Sequence, residues 1–111
     1  MIRILIADDH KQVCKALRGT LEEYEWQVCG EACNGREAVS LALQLKPDVA
    51  ILDLSMPELN GIEATRQIKR ALPEVEVLIF TMYDPAEMIL SACQAGARGF
   101  ILKSDDELEI V

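Results

Sequence analysis

A chain of 111 residues, half of them hydrophobic, is long enough for one domain with one core and should fold without disulfide or metal staples. Its formal net charge of −8 argues against direct contact with nucleic acid or an anionic membrane, because phosphates would be repelled. No apolar run approaches the length of a membrane span and the N-terminus enters a strand at once, so neither membrane nor signal peptide is expected, and the cytoplasm is the expected compartment.

Met1 to Ala7 is apolar apart from Arg3 and reads as a central strand, ending at the acid pair Asp8-Asp9. Val13, Leu17, Leu21 and Tyr24 then recur at helical spacing, with Asp9 near the helix start as a candidate cap. Trp26 to Ala32 alternates and carries Gln27 and Glu31, as an edge strand would. Asn34-Gly35 reads as a turn, and Ala38, Leu41, Ala42 and Leu45 mark a second amphipathic helix stopped by Lys46-Pro47. Val49 to Leu52 is a run of four apolar residues leading into Asp53, a strand buried on both faces. Met56 to Gly61 is rich in turn formers. Ile62, Thr65, Ile68 and Leu72 form a third helix, closed by Pro73. Val75 to Phe80 is a fourth strand ending at Thr81, and Asp84-Pro85 opens a fourth helix with Met88, Ile89, Ala92 and Cys93 on its apolar side. Phe100 to Leu102 is a fifth strand ending at Lys103, and Ser104 to Val111 is expected to begin a short last helix. Five alternating strand–helix units call for an α/β, doubly wound parallel sheet covered on both faces, its crossovers right-handed.

Cys14, Cys29, Cys33 and Cys93 include no C-x-x-C pair. On one strand Cys29 and Cys33 would lie roughly 13 Å apart, too far for a disulfide. All four are expected as small buried hydrophobes in a reducing compartment.

The chemistry gathers at strand ends, where open parallel sheets place ligands. Asp8, Asp9 and Asp53 converge if the first and third strands are neighbours, and three carboxylates in one cleft call for a counter-charge. A hard divalent cation such as Mg²⁺ supplies it and takes oxygen ligands without Cys or His. Thr81 and Lys103 add a hydroxyl and an ammonium, which completes what a phosphoryl group requires, and a carboxylate can act as nucleophile toward phosphorus. Neither G-x-x-x-x-G-K nor G-x-G-x-x-G occurs, so no nucleotide is expected. His10, beside the acids, reads as an exposed first-turn residue, with a ligand or proton donor as the alternative.

Asp8-Asp9, the Asp53 strand with Met56-Pro57 and Asn60-Gly61, Thr81, and Gly99-Phe-Ile-Leu-Lys103 together resemble the receiver domain of two-component response regulators, over the whole chain. Asp8-Asp9-His10, Gly30-Glu-Ala, Asn34-Gly35-Arg-Glu-Ala38 and Ala95-Gly-Ala-Arg-Gly-Phe100 look like the subfamily carrying a LuxR-type helix-turn-helix output domain. The resemblance implies the flavodoxin-like fold with strand order 2-1-3-4-5. It implies that Asp53 accepts a phosphoryl group from a histidine kinase or phosphotransfer protein, as a phosphoacceptor that assists its own reactions rather than an enzyme. It implies Mg²⁺ held by Asp9, Asp53 and the backbone carbonyl of Ser55, with Asp8 contributing through water. Lys103 would pair with the phosphate, Thr81 and Phe100 would switch together, and Ser55 and Tyr83 would tune the phosphate lifetime. The face of helix four, strand five and helix five would serve readout and a possible homodimer, and DNA would be met only through an output domain outside this chain. Two departures stand out: Ser104 replaces the proline that often follows the lysine, where a cis bond would be costly, and the last helix is short, as in a receiver fragment with helix five incomplete. Two other readings use the same residues. One is an aspartyl-phosphate phosphatase, although Asp53-Leu54-Ser55 lacks the second acid of a D-x-D motif. The other is a phosphorylation-independent binding module.

Overall fold

The computed structural model describes residues 1–81, 89–103 and 108–110. Along them run β1 (Arg3–Ala7), α1 (Lys11–Glu23), β2 (Gln27–Ala32), α2 (Gly35–Leu45), β3 (Val49–Asp53), α3 (Gly61–Ala71), β4 (Glu76–Thr81), α4 (Ile89–Ala95), β5 (Gly99–Lys103) and β6 (Leu108–Ile110). They build one sheet in the order β2-β1-β3-β4-β5-β6. The first five strands are parallel and keep the expected order 2-1-3-4-5 of the flavodoxin-like fold.

The apolar runs dictate this arrangement. Ile4 to Ala7 and Ala50 to Leu52 are buried throughout, as strands covered on both faces must be. Alternation along the strands sends Leu5, Ala7, Ala50, Leu52, Val77, Ile79 and Phe100 to one face, where they pack with Ala38, Ala42, Ala64, Ile68 and Ala92 of α2, α3 and α4. It sends Ile4, Ile6, Ile51, Phe80 and Ile101 to the other, against Cys14, Leu17 and Leu21 of α1. β2, with its polar residues, lies at an edge as its composition suggests.

Polar groups fix the helix ends. The Asn34 and Asn60 side chains accept the backbone N–H of Glu37 and Glu63 and so cap α2 and α3. Asn34-Gly35, expected as a turn, is therefore a helix start. Lys46 ends α2 in a left-handed conformation with φ 48°. Arg3, the one charge in the first strand, donates from Nη1 to the carbonyls of Leu45 and Lys46, and its position is explained by those helix-end acceptors.

Three expectations are corrected. Leu108–Ile110 is a strand, not helix: it pairs antiparallel with β5, Lys103 opposite Leu108 and Ile101 opposite Ile110. An isolated helix of eight residues is unstable, whereas the open edge of β5 offers main-chain partners to an apolar–polar–apolar segment at once. Tyr24, expected on the buried face of α1, is instead its C-cap and 66% exposed, with its ring 5.6 Å from that of Trp26. The helix has ended by then, and Glu25 at φ 63° turns the chain outward. Of the four cysteines, all free, only Cys14 is buried; Cys93 is exposed because α4 covers the sheet with Ala92 and Ala95. Asp84-Pro85, Met88 and the segment Ser104 to Glu107 lie outside the described residues.

Candidate functional site

β1 lies between β2 and β3, so successive crossovers leave it in opposite directions. The crevice beyond the carboxyl ends of β1 and β3 is the place where such a sheet receives ligands. Asp53 is the last residue of β3, and Asp8 follows the last residue of β1.

Main-chain contacts set both acids. The Asp8 N–H donates to the carbonyl of Ala32, which ties the end of β1 to the end of β2, and the Cys14 thiol lies 3.6 Å from the Asp8 carbonyl. The Asp8 carboxylate accepts the backbone N–H of His10 at 2.9 Å, so this acid organises the turn into α1. After Asp53, Leu54 N–H donates to Phe80 O and Gly61 N–H donates to Leu54 O. The fit there is tight: a Cβ at Gly61 would lie 2.2 Å from the carbonyl oxygen of Asp53. Gly35 meets the same loop from the other side, where a Cβ would lie 1.9 Å from Leu59 O. By sequence alone both glycines are turn formers. Their reason is close backbone approach, a tertiary fact that turn statistics do not contain.

The side chains converge as expected. Asp8 and Asp53 are buried, at 1% and 6% exposure, and Asp9 is exposed. With His10 they form a group whose candidate ligand atoms all lie within 4.8 Å of one another. Asp9 does not cap α1: the N-cap is His10, whose side chain makes no capping hydrogen bond. That leaves Asp9 facing the cluster. His10 is exposed, as expected, but it is also part of the cluster, its Nδ1 3.2 Å from Oδ1 of both Asp8 and Asp9. Its adjacency in sequence was the signal, and its polar neighbours give it more weight than its exposure suggests.

Thr81 ends β4 and is buried at 2% exposure. Phe100 is buried within β5, opposite Ile79. Lys103 is the final residue of β5, so the amine-bearing position stands at the same end of the sheet as Asp53 and Thr81; its side chain is not among the described groups. Ser55 lies in the loop two residues beyond Asp53 and is exposed, and Tyr83 lies outside the described residues. A set of hard oxygen donors from Asp8, Asp9 and Asp53, gathered within reach of one ion, could hold a metal. Among the described residues, no helix is long and apolar enough to cross a membrane.

Comparison with known proteins agrees with this geometry. The sequence profile of the response regulator receiver domain matches residues 4–111. The chain is 40% identical over 111 residues to the transcriptional regulatory protein LiaR of Bacillus subtilis, covering 99% of this chain and 53% of that protein. It is 38% identical over 101 residues to the chemotaxis protein CheY of Thermotoga maritima, covering 91% of this chain and 84% of that one. Thus it spans about half the length of the transcriptional regulators it matches. Among solved structures, a LuxR-family two-component response regulator from Aurantimonas superposes with a TM-score of 0.89 at 37% identity, over 96% of this chain and 76% of that chain. The isolated REC domain of RcsB from Salmonella enterica, solved in the presence of phosphomimetic BeF3−, gives 0.83 at 30% identity, over 92% and 77%. Fold, strand-end acids and sequence similarity therefore lead to one conclusion: this chain belongs to the response regulator receiver domain family of two-component signalling.

Proposed function

We propose that Asp53 is the phosphoacceptor of this receiver domain and that its phosphorylation by a histidine kinase or phosphotransfer protein, dependent on Mg²⁺, controls an output such as transcription. The observation that carries the reading is the gathering of Asp8, Asp9 and Asp53 within 4.8 Å ligand-atom separations at the ends of β1 and β3, with Thr81 and Lys103 ending β4 and β5. Asp9, Asp53 and the Ser55 carbonyl would hold Mg²⁺, with Asp8 acting through water; the all-oxygen donor set fits that hard ion. Bound there, Mg²⁺ would supply positive charge to the phosphoryl oxygens.

The chain's own residues do the rest. An oxygen of Asp53 attacks phosphorus, the bond from phosphorus to the donor's imidazole nitrogen breaks, and its electron pair returns to that nitrogen, which takes up a proton. Asp53 is held at the crevice by the main-chain contacts of Leu54 and Gly61, so little ordering remains to be done in the reaction. Lys103 pairs with the new phosphate, Thr81 donates its hydroxyl to it, and Phe100 moves in step. Ser55 and Tyr83, beside the site, tune how long the phosphate lasts. The domain assists its own phosphorylation and dephosphorylation without turning over a separate substrate. The α4–β5 face, where Leu90 is 68% exposed, is the readout and homodimer surface, with β6 at its margin in place of the expected helix. The length of LiaR and the other regulators supports an output domain beyond this chain as the part that meets DNA, in the cytoplasm.

The test is intact-protein mass after incubation with Mg²⁺ and acetyl phosphate, run beside Asp53→Asn. One added phosphoryl group, dependent on metal and absent from the variant, is expected. Labelling that persists in folded Asp53→Asn would remove Asp53 from the role.

A further inference from the structure

We propose that an open depression at the end of the sheet opposite the acid cleft docks an arginine-bearing peptide segment of a partner protein. It is lined by Met1, Ile2, Tyr24, Glu25, Trp26 and Asp48 and measures about 600 Å³. Ile2, Trp26 and Asp48 immediately precede β1, β2 and β3, so the parallel topology brings them to one end. Ile2 and Asp8 flank β1, which puts the two sites about 20 Å apart at about 3.3 Å per residue. Among the described residues six large hydrophobic side chains are exposed, and four of them, Met1, Ile2, Tyr24 and Trp26, gather here. Exposed apolar groups scattered singly need no reason, but a gathering rimmed by carboxylates marks a surface that meets another molecule.

The main chain holds the depression in shape. The N–H groups of Tyr24 and Trp26 donate to the carbonyl of Leu21, that of Glu25 to Glu22, and that of Gln27 to Ile2. Glu25, at φ 63°, makes the turn that leaves both rings outside. With centroids 5.6 Å apart and planes at 31°, the rings form one aromatic platform rather than a slot. Asp48 is pinned against β1: its Oδ2 accepts the Arg3 N–H at 2.8 Å, and its own N–H donates to the Arg3 carbonyl. Little ordering therefore remains to be done when a partner arrives.

Charge selects the occupant. Glu22, Glu31, Glu58, Glu63 and Glu76 each pair with an arginine, whereas Glu25 and Asp48 pair with no basic side chain among the described residues. The Arg3 guanidinium, next to Asp48 through its main chain, is turned instead to the carbonyls of Leu45 and Lys46. An incoming guanidinium meets both features at once. Its flat face stacks on an indole or phenol ring, and its N–H fork matches a carboxylate. An apolar residue beside that arginine would cover Met1 and Ile2. A lysine has no flat face and holds its water more tightly. A second copy of this face would set Glu25 and Asp48 against the same acids, and nucleic acid or an anionic membrane would meet a net charge of −8.

Trp26 is the one tryptophan of the chain, so its fluorescence reads the site directly. The experiment titrates the whole chain with an acetylated, amidated tripeptide of arginine, leucine and arginine, followed by fluorescence and by calorimetry. The same peptide with citrulline for arginine keeps the shape and loses the charge. Saturable binding to the unsubstituted chain is expected, weakened about fivefold by Tyr24→Ala, about fivefold by Asp48→Asn, and further by citrulline. Tyr24 is exposed, and Asn still offers an acceptor to the Arg3 N–H, so both variants should fold. Absence of both heat and fluorescence change, or equal binding of the citrulline peptide, would overturn the inference. So would self-association of the unsubstituted chain that Trp26→Ala abolishes, since a second copy would then be the occupant. None of these outcomes involves Asp53 or a metal ion, so the phosphoacceptor reading is tested separately.

Discussion

The β1–α1 and β3–α3 junctions each lead from a buried strand through a carboxylate into a helix, yet they are built differently. At β3–α3 the scaffold is main chain: Gly61 packs on the carbonyl of Asp53, Leu54 bonds to Phe80, and Asn60 caps the helix. At β1–α1 no side chain caps the helix, its first turn holds no acid, and the Asp8 carboxylate itself holds the turn through the His10 N–H. One junction holds its acid with main-chain contacts, so the support of Asp53 does not rest on a carboxylate. The other uses the same acids for support and chemistry, so changes at its acids reach the fold and the cleft together.

That contrast can be broken most severely at Gly61. Gly61→Ala forces a methyl group into the Asp53 carbonyl and should cost about 3 kcal/mol or more in urea unfolding, because the obstructing atom is backbone and cannot swing aside. A loss under about 1 kcal/mol would mean that this junction yields as readily as the other.

The acids of β1–α1 give the next largest effect. At about 100 times its Kd, Mg²⁺ should stabilise the unsubstituted chain by about 2.7 kcal/mol, seen as a rise in Tm, through binding to the native state alone. Asp9→Asn removes a like charge from the cluster and no cap from α1, so it should raise Tm slightly without metal and shrink the metal-induced rise. A lower metal-free Tm would show that Asp9 supports the helix start after all.

The smallest effect sharpens the comparison of caps. Asn60→Ala should cost about 1 kcal/mol in denaturant unfolding, whereas His10→Ala should cost under about 0.5 kcal/mol, since His10 accepts no cap hydrogen bond. Equal losses would erase the distinction between the two helix starts.

The parallel core was legible because its signal is local. Four consecutive apolar residues before Asp53 and four before Asp8, Ile4 to Ala7, can satisfy the hydrophobic effect only as strands covered on both sides. The convergence of Asp8, Asp9 and Asp53 was legible for the same reason, once β1 and β3 were neighbours. What the sequence withheld depends on contacts between distant segments. Leu108-Glu109-Ile110 reads equally as helix face or strand, and the open edge of β5 decides it. Tyr24 fits the periodicity of α1, but the helix stops one residue earlier. Gly35 looks like a turn residue until Leu59 is seen against it. The exposure of His10 was foreseen, but its Nδ1 between two carboxylates follows from a backbone turn that one residue's identity does not encode.

Gly35 and Gly61 press on the loop that follows Asp53 from opposite ends, while Ser55, Pro57 and Glu58 within it point to solvent. Its path is thereby held by backbone contacts at both ends, and within it Glu58 adopts a left-handed conformation with φ 66°. Under the proposed function, exchanges at the exposed Ser55 would change the rate of phosphate loss without moving Asp53, whereas Gly35 and Gly61 leave no room for a side chain. A lineage of such domains would thus diversify its timing on a frame that stays still.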